Sequence, residues 1–422
     1  MSNQNVAENS TPDAEEKIPM SIEKKDAPKK NFLEIACPYC YGANFFKRGT
    51  RQKKNEIVQL YLCRDCQKTF TPGSTKGKHY PISVILDAIS LYYIGYSIEK
   101  VAERTKKIIN ANKTDIDTKM LGTGTVLEWI NEYEPLCAFA RMRPHALKLF
   151  PPEQTISSAT LAHRQLYRFR HHRSKTILII QEDWKHSKFW PLKEFLDLVP
   201  IECPHQYFQE GARASETPLM FSKTEMIVRG KHNFANKMAK FVLESVEEPK
   251  ARHDALQRFM LANDSVTIAT EVPIYLRRED LAHMQTQLGF ELYKKQTTEE
   301  KKANKDIEKY PAEDLPKLIT GHIDFIQVRN GQIHILDYKP NAAKERPIEQ
   351  LTIYALALSR LTGLKVFNFK CAWFDEKDYF EFFPLHVVHK PDKRRRKRKI
   401  TTIEGNYKLN DNPKKIESVR AK

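Results

Sequence analysis

The chain has 422 residues, 41% of them hydrophobic, with 70 Lys and Arg against 53 Asp and Glu, a formal charge of +17. That length suits two to four domains of roughly 100–200 residues each, and the positive excess points to a polyanionic partner, most often nucleic acid. The longest apolar runs, 176–180 and 354–358, are far short of the roughly 20 residues of a membrane helix, and residues 1–30 lack a signal peptide's apolar stretch. The composition therefore predicts a soluble, intracellular chain with no membrane partner, cytoplasmic and nucleoid-associated, or nuclear in a eukaryote.

Residues 1–30 carry charges and prolines without a hydrophobic period and predict a disordered tail. A zinc ribbon is expected over 31–75. Cys37-Pro38-Tyr39-Cys40 and Cys63-Arg64-Asp65-Cys66 each place two thiols on one tight turn. Two such knuckles complete a tetrahedral Zn²⁺ site with no open position, so this zinc is structural. Over 76–145, Ile82, Ile85, Leu86, Ile89, Tyr92 and Tyr93 recur at helical spacing. Residues 82–94 read as a helix, Gly95-Tyr96-Ser97 as a turn, and 98–106 as a second helix capped by Ser97. The pattern C-P-x-C…Y-x-C-x-x-C-x-x-x-F, from Cys37 to Phe70, resembles the zinc ribbons at the front of insertion-sequence transposases. That resemblance implies a helix-turn-helix-like DNA-binding domain, with Thr123 to Ile130 opening a recognition helix for the major groove. An ordinary three-helix packing module is the competing reading.

Residues 146–184 read as a linker or as the start of the next domain, an α/β unit over 185–388. Within it, Asn330-Gly331 between two alternating β-rich runs is a strong two-residue hairpin signal, because both positions tolerate positive φ. Pairing outward from that turn sets Asp324 opposite Asp337 as a non-hydrogen-bonded pair, with Lys339 on the same face as Asp337. Two facing carboxylates repel. Their neighbours toward the turn, Ile326, Val328, Ile333 and Ile335, are apolar, so the pair needs cations. One lysine cannot neutralise both acids, and oxygen ligands suit Mg²⁺ or Mn²⁺. The opposite face (Ile323, Phe325, Leu336, Tyr338) is apolar too, which argues against a surface hairpin.

The set G-x-x-D…D-x-K from Gly321 to Lys339, followed by Gln350-x-x-x-Tyr354, resembles the PD-(D/E)XK nucleases, and among them the RecB-type group. Residues 345–361 read as a helix with Pro347 in its first turn and Gly363 as its stop. Gln350 and Tyr354, four apart, share a face, and the resemblance implies that they line the active site. Residues 190–196 and Cys203-Pro204-His205-Gln206-Tyr207-Phe208 are similar to the opening helices of that group. Gly230-Lys231-His232 resembles the start of the family helix whose histidine adds a metal ligand. In the strand expected over 266–275, Glu271 is read as structural. A four-cysteine iron–sulfur cluster, present in some relatives, is not available from Cys137, Cys203 and Cys371, and Cys203 is read as buried packing.

The fold expected is multidomain: a four-cysteine zinc ribbon, a helix-turn-helix-like domain, and a restriction-endonuclease-like α/β nuclease domain with a mixed sheet. A basic tail expected to be disordered closes it over 389–422, holding seven consecutive basic residues at 393–399. That run reads as a DNA-backbone arm, a nuclear import signal or a solubilising tail. The resemblance implies a DNA endo- or exonuclease acting on double or single strands. Asp324, Asp337 and His232 would hold Mg²⁺ or Mn²⁺, Lys339 would orient the water, and Gln350 and Tyr354 would fix the phosphate. A catalytically silent DNA-binding regulator and a transposase-like mobile-element protein are the alternatives.

Overall fold

In a computed structural model, the residues described are 37, 39–40, 44–52, 57–71, 80–111, 118–119, 121–221, 227–230, 233–243, 246, 249–303, 305–388, 406–409 and 416–419. The first unit is a three-stranded antiparallel sheet of Phe45–Gln52, Ile57–Cys63 and Thr69–Phe70. Its apolar core is little more than Tyr61 and Phe70 with Phe45 against them, ring centroids 5.4–5.7 Å apart. A core that small needs a cross-link to hold a fold.

Three helices follow, Ile82–Ile94, Ile98–Ala111 and Thr123–Tyr133. Ser97 caps the second, its Oγ accepting from the Lys100 N–H at 3.4 Å. These helices do not bury their apolar faces only against one another. Ile85, Ile89, Val101, Val126 and Ile130 share one continuous core with Phe325, Leu336, Tyr338 and Phe374. The helical layer joins that core through the helix Pro249–Asn263, against which Ile82–Ile94 packs, with Asn263 donating to Ser90 at 3.0 Å and Arg258 3.5 Å from Asp87; the second apolar face of the hairpin is thus covered, as its alternation required.

Seven strands of an eleven-stranded sheet follow one another: β1 (Ile156–His163), β2 (Gln165–His172), β3 (Thr267–Arg277), β4 (Leu318–Arg329), β5 (Gln332–Tyr338), β6 (Phe369–Phe374) and β7 (Tyr379–Phe382). They lie side by side in chain order. All neighbours are antiparallel except β5 and β6. That parallel pair is joined by a helix, α2 (Ile348–Thr362), packed on the face opposite the helical layer. A second helix, α1 (Pro249–Asn263), packs with the helical layer and leads into β3. The sheet is mixed, as expected.

One stretch takes the second of its two readings, and another differs from expectation. The β1–β2 hairpin, inside 146–184, belongs to the sheet: Arg170 and His171 pair with Thr270 and Ala269 of β3. In the stretch expected to be a disordered tail, Asn406–Leu409 and Ile416–Val419 pair as strands, and the first adds to the edge strand Ile227–Gly230. An edge strand offers unpaired N–H and C=O groups that such an addition satisfies. The basic run at 393–399 lies outside the described residues.

Candidate functional site

The site begins at a turn. Asn330 and Gly331 adopt φ of 54° and 72°, the left-handed pair of a tight hairpin. From there the ladder runs Arg329↔Gln332 to Phe325↔Leu336. It ends one step before the acids, so Asp324 and Asp337 sit at the open fork where β4 and β5 part. Pairing of β4 with β3 supplies a third acid: Ile323↔Val272 and Phe325↔Thr270 bracket Asp324 opposite Glu271. Glu271 has φ of 51° in mid-strand, a conformation that non-glycine residues hold only where their surroundings impose it.

α1 addresses these acids from one side. His253 and Gln257, four apart, share a helix face. The His253 imidazole is 2.8 Å from Asp324 Oδ2, and Gln257 Nε2 donates to Glu271 Oε1 at 2.7 Å. Asp324 Oδ2 also accepts from the Tyr338 N–H at 3.1 Å. Lys339 Nζ lies 3.1 Å from Asp337 Oδ2. From the other side α2 brings Gln350, whose Nε2 donates to the Tyr354 hydroxyl at 2.7 Å. The phenol lies over Gly321, where an added Cβ would fall 2.4 Å from Tyr354 Cε1. Glycine here is a condition of that approach.

Electrostatics divide the acids. Burial, with Asp324 beside it, pushes Glu271 up to about 7. Burial and Asp324 also hold Asp337 well above the usual carboxylate range. Asp324 is buried too, but the facing His253 keeps it ionised, down to about 2. In return, against its own burial, His253 is raised by Asp324 to about 9. Burial opposes charge on Lys339 as well, yet Asp337 and Asp324 hold its ammonium above the ordinary lysine value. The cluster therefore keeps protons on acids that a cation could take over.

A hard divalent ion fits these residues. The donors of His253, Asp324 and Asp337 lie within 4.8 Å of one another. Asp337 is 4% exposed, and its buried Oδ2 has the Lys339 ammonium 3.1 Å away. Carboxylate oxygens are the ligands that Mg²⁺ and Mn²⁺ take. The acids open onto a cavity of about 370 Å³, which Arg164, Arg213, Lys339, Gln350 and Tyr354 also line.

Asp324, Asp337, Lys339, Gln350 and Tyr354 thus come together on one cavity. His232 lies outside the described residues, and the imidazole that faces the acids is that of His253. Glu271, read as structural from the sequence, lines the cavity beside Asp324: its kinked backbone, not strand alternation, determines where the carboxyl goes. Sequence reasoning missed His253 altogether. Its signal was a polar pair, His253 and Gln257, on a helix whose neighbours Leu256, Phe259 and Met260 are buried.

The four ribbon thiols also converge. Cys37 to Cys66 and Cys40 to Cys63 are both 3.5 Å between sulfurs. That is far beyond a disulfide bond of about 2.05 Å and near the roughly 3.8 Å edge of a tetrahedron with Zn–S of about 2.3 Å. The cluster is compatible with a zinc ribbon. The third helix buries Val126, Trp129, Ile130 and Tyr133, leaving Leu127, Glu128, Asn131 and Glu132 outward.

Residues 201–405 match the family model of the PD-(D/E)XK nuclease superfamily. This part of the chain is thus similar to the PD-(D/E)XK superfamily. It contains the acids of β3, β4 and β5, Lys339, and the histidine of α1, while the β1–β2 hairpin of the same sheet lies before it. No curated protein and no solved structure matches the chain.

Proposed function

We propose that this chain is a divalent-metal-dependent deoxyribonuclease of the PD-(D/E)XK type. The observation that carries this reading is the meeting of Glu271, Asp324 and Asp337, from three adjacent strands, beside Lys339 on the wall of one polar cavity. Asp324, Asp337 and Glu271 are the groups that would hold Mg²⁺ or Mn²⁺. Such an ion supplies Lewis-acid polarisation of a phosphoryl oxygen and of water.

The chain's own residues do the rest. Lys339 stays an ammonium, so it donates: it orients the attacking water and offsets charge developing on the phosphoryl oxygens. His253 and Gln257 hold the carboxylates of Asp324 and Glu271 in one rotamer each. Gln350 and Tyr354, locked to each other, set the wall against which the scissile phosphate is positioned. Arg164 and Arg213 at the cavity give the polyanion a favourable approach.

The DNA contact falls to the ribbon rather than to the third helix, whose outward face has two glutamates and no lysine or arginine. Lys47, Arg48, Arg51, Arg64 and Lys68 are all exposed on the ribbon, a cluster suited to phosphates. The test is incubation of the protein with plasmid, linear duplex, single-stranded DNA and RNA, each with Mg²⁺, Mn²⁺ or EDTA. Cleavage of DNA is expected only with metal, and Asp324→Asn and Lys339→Ala should abolish it while retaining DNA in a gel-shift assay. Binding without cutting on every substrate would leave the silent regulator standing instead, and cutting by either variant would reject the assigned roles.

A further inference from the structure

A different set of donors adjoins the cavity through His163 and His322. His163, the last residue of β1, is 2% exposed. Its Nδ1 is 2.8 Å from His322 Nε2, and its Nε2 is 2.8 Å from His205 Nδ1. The Cys203 thiol turns to the same nitrogen, 3.8 Å from His163 Nε2. Donor atoms of His163, Cys203 and His205 all lie within 4.8 Å of one another. Rings wall the cluster in: His163 stacks on Phe208 at 3.9 Å and His322 on Tyr167 at 3.6 Å.

These residues come from elements that the chain has no local reason to bring together. His163 ends an edge strand, and Cys203 and His205 flank the junction between the helices Trp190–Glu202 and His205–Glu210. A row of hydrogen-bonded imidazoles would account for His322, His163 and His205, but not for a thiol aimed at the His163 Nε2 that His205 already meets. Two imidazoles and a thiol are the donor set of zinc-class ions, not of Mg²⁺. With Zn–N of about 2.0–2.1 Å and Zn–S of about 2.3 Å, tetrahedral geometry separates two nitrogens by roughly 3.3 Å and nitrogen from sulfur by roughly 3.6 Å. The observed separations lie within about half an ångström of those values.

We infer that His163 Nε2, Cys203 Sγ and His205 Nδ1 form a binding site for a zinc-class divalent ion, separate from the ribbon and from the acid cluster. His205, the exposed member of the set, opens the site to solvent. His163 then donates its Nδ1–H to His322, as metal-bound imidazoles commonly donate their second nitrogen to a fixed partner. His322 precedes Asp324 by two residues on β4. The ion therefore ties the edge hairpin and the Cys203 junction to the strand that carries the first acid, and it acts by positioning, not by touching substrate.

The test counts metal on the full-length protein, dialysed against metal-free buffer and read by plasma mass spectrometry. The wild type is expected to hold two zinc ions per chain. His205→Ala, chosen because that side chain is exposed, and Cys203→Ser should each lose one. The double substitution Cys37→Ser, Cys40→Ser should lose the other. Circular dichroism confirms that the variants fold. Excess Mg²⁺ should leave the count unchanged. A wild type that holds only the ribbon's zinc, an unchanged count in His205→Ala, or displacement by Mg²⁺ would each overturn the site. None of these readings depends on whether the protein cuts DNA.

Discussion

Glu271 and Asp337 are carboxyls that the fold keeps protonated in the absence of a cation, and that sets a pH dependence. The folded value of Glu271 is about 7, above the ordinary range for glutamate. Below it a divalent ion must displace the proton; above it the carboxylate is already formed. Mn²⁺ affinity should therefore rise as pH climbs through about 7, with proton release on binding greatest on the acid side. Calorimetry in buffers of differing ionisation enthalpy measures both, and an affinity flat across that range would contradict the arrangement. Gln257 orients Glu271 without being a donor to the ion itself. Gln257→Ala should weaken Mn²⁺ binding by about 10–100-fold with the fold intact; unchanged affinity would remove Glu271 from the ligand set. Asp324, Asp337 and Lys339 were legible because one turn and strict alternation relate them within a few residues. His253 and Glu271 were not, since their approach depends on how a helix lies on the sheet and on a backbone kink, neither written locally.

Gly321 and Tyr354 couple β4 to α2 through a contact with no room for a methyl group. Gly321→Ala should destabilise the protein by about 1–3 kcal/mol, the usual range for overpacking a closed site. It should also push the phenol off Gln350. Paired with Tyr354→Ala in a double-mutant cycle by chemical denaturation, the two costs should be less than additive; full additivity would mean that the ring already has space. Periodicity located the first two helices of the cover well, and Ser97 does cap the second. The β1–β2 hairpin escaped because its outward residues, Arg164, Gln165 and Arg168 among them, give its turn and second strand the polarity of a linker. Cys203 looked like a helix-end packing residue for a similar reason. Its partner His163 lies 40 residues upstream, in that unread hairpin.

Across the whole molecule, the excess charge matters only where it is clustered and exposed. If the ribbon cations hold the DNA backbone, Arg48→Ala and Arg51→Ala should each lower the slope of log affinity against log salt by about 1, uniformly across sequences. Fluorescence anisotropy on a fixed duplex reads this, and slopes that do not move would take the ribbon out of the interface. Exchanging Glu128 and Glu132 for glutamine should change neither slope nor affinity. The sharing of one core by the helices at 82–133 and the back of the β4–β5 hairpin has a practical and an evolutionary edge. A fragment trimmed to begin near residue 150 would strip the cover from the helix Pro249–Asn263 and its buried Leu256, Phe259 and Met260, and aggregate rather than yield a free-standing cutter. For the same reason this front end is not a cassette that recombination could exchange at will: a new one must also fit the outer side of the helix at 249–263.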